Sequence, residues 1–282
     1  MTAITVTPCT GPGAEIGNVD LSQPLSDEDF ATIRQAFADH GLIFFRDQTI
    51  TPEQHIAFAE RWGDINVNRF FTPVDGYPEI AEVRKEPDQK TNIGGGWHTD
   101  HSYDQEPAMG SILVARELPP AGGDTMFADM AAAYDALDAE TKAKLDGLEA
   151  VHSSKHIFGG ESAYKDSGDV GERLHNADAA DALDDVVHPV VITHPLSGKK
   201  ILYVNPAFTL RIKGWTPEAS LALLGPLYGH AMQDEFVTRF EWKPGSIAFW
   251  DNRATWHYAL NDYQGERRLM HRITLEGCAL AA

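Results

Sequence analysis

Gly94-Gly95-Gly96-Trp97-His98-Thr99-Asp100 sets an imidazole and a carboxylate two residues apart, directly after a run of glycines. On an extended strand, residues i and i+2 point to the same face. His98 and Asp100 are therefore expected to turn into one cavity and to offer two sites of a metal's coordination sphere. A 2-His-1-carboxylate facial triad needs one more imidazole and leaves three positions open. The best candidate for the third ligand is His257, far downstream in Asp251-Asn252-Arg253-Ala254-Thr255-Trp256-His257-Tyr258.

Taken alone, a His-x-Asp pair means little. Acidic residues are 42 of 282, so about one or two such pairs arise by chance among 12 histidines. The weight lies in its conjunction with residues further along the chain.

A second informative segment is Arg268-Leu269-Met270-His271-Arg272. On a strand Arg268, Met270 and Arg272 share a face, with the two arginines roughly 13 Å apart at about 3.3 Å per residue. Two inward guanidiniums are costly without anionic partners. An arginine forks onto a carboxylate with two parallel hydrogen bonds, which lysine cannot reproduce. Two arginines at two depths suit two anions, a cosubstrate and a substrate; an edge strand with its basic side in solvent is the plainer alternative.

Composition sets the frame. A 43% hydrophobic share with 23% charged residues is that of an ordinary globular protein. No apolar run reaches the 18 or so residues of a membrane span, and the N-terminus lacks the basic start and apolar core of a signal peptide. Cys9 and Cys278, near opposite ends, form no disulfide framework, which fits a reducing cytoplasm. A formal net charge of -19 argues against nucleic acid as a partner and requires a local arginine cluster to draw in any anionic substrate.

Local signals predict many short strands with helices outside. Ser26 caps a helix from about Asp27 with Phe30, Ile33 and Phe37 on one face and Gly41 at its stop. Thr51-Pro52-Glu53-Gln54 starts a second helix with a capping box, running to Gly63. A third is expected from Asp129 to Leu145, and a fourth from Thr216-Pro217 to about Met232. Strands are expected at Leu42 to Phe45, near Glu79 to Val83, at Met109 to Arg116, Thr125 to Phe127, Val186 to Thr193, Ile201 to Asn205, Phe236 to Trp242, Ser246 to Trp250 and Leu269 to Leu275. The polar, acidic stretch between Gly159 and Asp185 is a lid or a surface insertion. The pattern is a single domain over residues 1–282, mainly β with peripheral helices, of the sandwich or jelly-roll kind.

Trp97-His98-Thr99-Asp100, Gly122-Gly123-Asp124-Thr125, Trp250-Asp251-Asn252-Arg253 with His257-Tyr258, and Arg268 to Arg272 occur in one order and spacing. Together they resemble the taurine dioxygenase (TauD/TfdA) family of Fe(II)- and 2-oxoglutarate-dependent dioxygenases, from about residue 10 to residue 277. The resemblance implies a double-stranded β-helix, or jelly roll, with Fe(II), 2-oxoglutarate and O2 as cofactor and cosubstrates. It implies His98, Asp100 and His257 as iron ligands, Thr125 and Arg268 on the distal carboxylate of 2-oxoglutarate, and Arg272 on the anionic group of the substrate. It also implies a homo-oligomer, a dimer or tetramer. Where the taurine enzyme has a histidine and a tyrosine around its substrate, this chain has Asn68 and Phe71, so a sulfonate would lose two polar partners and taurine itself is disfavoured. Phe158 and Phe208 are possible pocket walls.

The expected activity is hydroxylation of a small anionic organic molecule (a sulfonate, sulfate ester, aryloxy acid or other carboxylate) with release of succinate and CO2. A biosynthetic hydroxylase of an amino acid or natural product would use the same site. A zinc hydrolase would leave Arg268 and Thr125 without a task, and a non-catalytic sensor would be expected to lack a ligand that is present here.

Overall fold

In strand Ile247–Asp251 all five residues are buried, because alternate side chains leave on opposite faces and both faces are covered. Ile247 and Phe249 pack with Ile33 and Phe37 of helix Asp27–His40, while Ala248 and Trp250 pack with Phe127 and Met270 toward a second sheet. The neighbouring strand Leu42–Phe45 divides the same way, with Ile43 and Phe45 toward the helices and Leu42 and Phe44 toward the other sheet. Phe37 stacks on Phe249 at 4.1 Å between ring centroids. Burying a side chain of this size contributes roughly 1.5–3 kcal/mol, so this seam between helix and sheet is a large part of the fold's stability.

The computed structural model describes residues 3–162, 170, 173–174 and 177–282. Its major sheet runs, in spatial order, Thr5–Pro8, Ala14–Gly17, Leu42–Phe45, Ile247–Asp251, Gly110–Glu117, Arg268–Leu275, Tyr77–Lys85 and Pro73–Val74, with Ile65–Asn66 also paired to Arg268–Leu275. Every pairing is antiparallel except that of Ala14–Gly17 with Leu42–Phe45. Facing it is a three-stranded antiparallel sheet of Val237–Phe240, Thr125–Asp129 and Thr255–Ala259. Two opposed sheets with helices outside make the jelly roll that the strand pattern predicts. Among the described residues no helix is long and apolar enough to cross a membrane.

The helix starts hold, and some of the ends differ. Helix Asp27–His40 starts on Ser26, whose side chain accepts from Asp29 N, and ends at Gly41 with φ 65°. Helix Pro52–Glu60 has the full Thr51–Gln54 capping box, but stops at Glu60, short of Gly63. The stretch from Asp129 to Leu145 is two helices, Met130–Asp135 and Ala139–Leu145, because Asp138 accepts from Thr141 N and begins a new one. Likewise Val186 to Thr193 divides into Val186–Pro189 and Val191–Thr193, with Val190 N donating to Leu148 O. Strands Glu149–His152, Thr209–Ile212 and Thr255–Ala259 were not legible as such. The stretch between Gly159 and Asp185, expected as a lid or a surface insertion, lies partly outside the described residues.

The chain passes from the major to the minor sheet within residues 252–254, between Ile247–Asp251 and Thr255–Ala259. Asp251, 0% exposed, holds this corner. Its carboxylate accepts from Arg253 N (2.9 Å), Nε (2.8 Å) and Nη2 (2.6 Å). His194 Nε2 donates to it at 3.0 Å, since Ser197 N donates to the other ring nitrogen. Burial opposes the Asp251 charge, but Arg253 and then His194 outweigh it and hold the carboxyl well below the usual range. Asp251→Asn is expected to destabilise the protein by about 3 kcal/mol or more in urea unfolding at pH 7, because it leaves the Arg253 guanidinium buried and unpaired. A depressed carboxyl stabilises above its unfolded-state value and loses that contribution as pH falls. The gap between wild type and variant should therefore stay constant down to about pH 4 and narrow below it.

Candidate active site

The third histidine reaches the first through the backbone. His98 N donates to His257 O at 3.1 Å and His257 N to His98 O at 2.8 Å, an isolated antiparallel bridge in place of the strand expected around His98. Residues directly opposite across such a bridge carry their side chains to one face; the two rings lie 4.0 Å apart. Asp100 arrives on the same side, its oxygens 3.6 Å from His98 Nε2 and 3.8 Å from His257 Nε2. One donor atom from each of the three residues lies within 4.8 Å of the others, and all three side chains are buried. His98 Nδ1 donates to Gly96 O at 2.8 Å, which leaves the Nε2 lone pair for a metal. Two imidazoles and a carboxylate on one side of a centre are the donor set of a facial triad, so the residues present fit Fe(II).

The glycine run has a steric reason at Gly94. Its φ is 77°, and a Cβ there would lie 3.2 Å from His98 Cε1. Thr99, pointing the other way, donates its hydroxyl to Asn252 O and ties this loop to the sheet corner.

Charge in the cluster is set by burial and by Arg272. Burial works against ionised Asp100, but the Arg272 guanidinium, with the histidines behind it, holds the carboxyl well below its ordinary range. Burial, together with His98 and Arg272, pushes His257 well below the usual imidazole value, so it is neutral and able to ligate.

These groups open on a cavity of about 370 Å³. Arg268 and Arg272 both line it, so the shared face expected of their strand is real, with Met270 between them in the inter-sheet core. Arg272 Nη1 donates to Asp100 Oδ2 at 3.0 Å, and its guanidinium lies over Phe71, 4.6 Å from the ring centroid. Arg268 is 5% exposed, and its Nε and Nη2 have no hydrogen-bond partner among the described residues. Those two N–H groups form one edge of the guanidinium fork and match a carboxylate. Thr125, buried on strand Thr125–Asp129, lines the same cavity.

Phe71, Phe158 and Phe208 are walls of the cavity, joined by Ile93 and Ile157. Asn68 is not among its lining residues. Its Oδ1 accepts from Phe70 N (2.9 Å) and Phe71 N (3.0 Å), an Asx turn that shapes its own loop. The sequence reading missed Lys85, Tyr263 and Arg173, which also line the cavity. Lys85 alternates with Ala81 and Val83 along strand Tyr77–Lys85 and is 2% exposed, so a strand carried two residues further would have found it. Arg173 donates to Arg84 O and Thr91 O and had no motif to mark it. Among the described lining residues, Lys85, Arg173, Arg268 and Arg272 stand against one acid, Asp100, in a chain of net charge -19, while Arg84 pairs with Glu82 and Glu86.

Comparison with known proteins accords with this geometry. Residues 5–274 match the profile of the taurine catabolism dioxygenase TauD, TfdA family. An alpha-ketoglutarate-dependent sulfate ester dioxygenase of Pseudomonas putida is 35% identical over 94% of this chain and 86% of its own length. An alkylsulfatase of Acinetobacter baylyi is 34% identical over 94% of this chain and 82% of its own. The crystal structure of a taurine dioxygenase from Burkholderia xenovorans superposes with a TM-score of 0.81 at 36% identity, covering 99% of this chain and 91% of that one. The chain belongs to the TauD/TfdA family and is an Fe(II)- and 2-oxoglutarate-dependent dioxygenase.

Proposed function

We propose that the protein, acting as one domain over residues 1–282, hydroxylates a small anionic organic molecule, with a sulfate ester as the leading substrate class. The observation that carries this reading is one cavity holding the His98, Asp100 and His257 cluster beside the unpartnered Nε–Nη2 edge of Arg268. His98, Asp100 and His257 hold Fe(II). Thr125 and Arg268 hold the distal carboxylate of 2-oxoglutarate, and Arg272 faces the anionic end of the substrate with Phe71 beneath it. Bound iron with 2-oxoglutarate and O2 supplies an oxidation that puts one oxygen atom into a C–H bond and the other into succinate, with loss of CO2.

The chain's own residues decide what is oxidised. Phe71, Ile93, Ile157, Phe158 and Phe208 pack an apolar organic group and exclude water. Arg268 and Arg272 draw in two anions that the acidic surface repels. An ester carbon hydroxylated next to its oxygen collapses, breaking that C–O bond to give an aldehyde and sulfate. The two relatives named for sulfate esters and alkyl sulfates support this choice. Phe71, and Asn68 engaged with its own loop outside the cavity, leave few polar partners for a taurine-like amine. The two free cysteines support a cytoplasmic reading, the net charge of -19 one without a nucleic-acid partner, and the lack, among the described residues, of a helix able to cross a membrane one without a membrane partner. Membership of the family supports reading the protein as a homo-oligomer, a dimer or tetramer.

His98→Ala should remove stoichiometric Fe(II) binding and succinate formation while circular dichroism keeps its native shape; retained turnover would sink the triad. Arg268→Ala should raise the KM for 2-oxoglutarate by roughly 30-fold or more, since a buried charge loses its partner, with the organic substrate's KM changed far less. The reverse pattern would mean that the two arginines have exchanged roles. Across a panel of alkyl sulfates, sulfonates, aryloxy acids and amino acids, succinate release should be stimulated most by alkyl sulfates, with sulfate appearing in equal amount. Stimulation by amino acids alone would favour a biosynthetic hydroxylase instead.

A further inference from the structure

Trp242 does not line the cavity, yet it touches both groups assigned to the distal carboxylate of 2-oxoglutarate. Its Nε1–H donates to Thr125 Oγ1 at 3.0 Å. The Arg268 guanidinium lies on the same indole, 5.7 Å from the ring centroid. The indole is fixed from behind, edge-on to Phe240 at 4.8 Å, and Phe240 stacks on Phe44 at 4.0 Å. Trp242 is only 7% exposed.

The hydroxyl of a threonine has one proton and two lone pairs, and it rotates to suit its neighbours. Left free, it would offer a lone pair to an incoming carboxylate as readily as its proton, and two acceptors facing each other repel. An indole N–H can only donate. With Trp242 occupying a lone pair, the Thr125 proton turns away from the indole, and it is donated to no group among the described residues. Arg268 is confined in a similar way. Gly123 lies against it, where an added Cβ would come within 3.2 Å of Arg268 Cδ and Nε, and the indole face lies nearby. The free Nε–Nη2 edge of Arg268 is thereby held in place.

We propose that Trp242 is a positioning residue for 2-oxoglutarate. Its N–H orients the Thr125 hydroxyl as a donor, and its ring supports Arg268, so that three N–H and O–H donors stand ready before the dicarboxylate arrives. Preorganised donors bind more tightly because the ordering cost is not met on binding. The inference rests on the assignment of Thr125 and Arg268 given above.

The test is calorimetric titration of the Mn(II)-loaded protein with two unreactive ligands. N-oxalylglycine carries the distal carboxylate, and oxalate lacks it. Trp242→Phe keeps a ring but loses the N–H. It should weaken N-oxalylglycine roughly three- to tenfold, the worth of one hydrogen bond, and leave oxalate unchanged. In a Thr125→Ala background the same substitution should cost much less. Benzothienylalanine at position 242, which keeps the outline of the indole and replaces N–H by sulfur, should reproduce the split without disturbing the packing. Equal losses for both ligands, or full N-oxalylglycine affinity without the N–H, would overturn the proposal. Wild-type protein that binds N-oxalylglycine no better than oxalate would overturn the carboxylate site itself, and the positioning role with it.

Discussion

The buried Asp251 carboxylate is the constraint on which the rest of the structure depends. A charge fully removed from water is tolerated only when its lone pairs are filled by well-placed donors, and here the Arg253 guanidinium and the His194 Nε2–H fill them. The ring of donors fixes the turn at residues 252–254, and that turn sends Thr255–Ala259 into the opposite sheet. His257 is the middle residue of that strand. The Thr99 hydroxyl grips the same corner at Asn252 O, so the segment carrying His98 and Asp100 is moored to the turn that delivers His257. An interaction with no contact to the reacting centre thus determines whether the centre assembles.

Electrostatics inside the cavity run opposite to those of the whole chain. The protein as a whole is strongly acidic, yet among the described residues the charged lining of the cavity is cationic apart from Asp100. That inversion concentrates dianionic 2-oxoglutarate and an anionic substrate where the walls lower the effective dielectric and each charged contact gains strength. Arg272 occupies the junction: it neutralises Asp100 while lying on Phe71, at the border of the polar and apolar parts of the site. A substrate with an anionic head and an apolar body fits that border without leaving either end unmatched.

Much of this was legible in the sequence because local chemistry and tertiary role coincide. Ser26, Gly41, Thr51 and Pro52 announce helix ends by hydrogen bonds they make with their own neighbours. Arg268, Met270 and Arg272 announce a shared face through the two-residue period alone. Where the two diverge, the reading failed. Thr255–Ala259 follows Ile247–Asp251 after a corner too short to carry a glycine or proline signal, so its strand was invisible. Asn68 satisfies two backbone N–H groups of its own loop, a local use that motif counting cannot separate from a ligand-facing one. Trp242 reads as the end of a strand, and only the fold brings its N–H against Thr125.

The corner at residues 252–254 has a consequence for how such a chain can diverge. In a strand, side chains alternate between faces, so a shift of one residue exchanges inside for outside. Inserting or deleting a single residue between Asp251 and His257 would present Trp256 or Tyr258 to the cavity in place of the imidazole. Substitutions around the corner can accumulate one at a time, but its length is quantised, and new specificities must arise in the loops that wall the cavity, where length is free to drift.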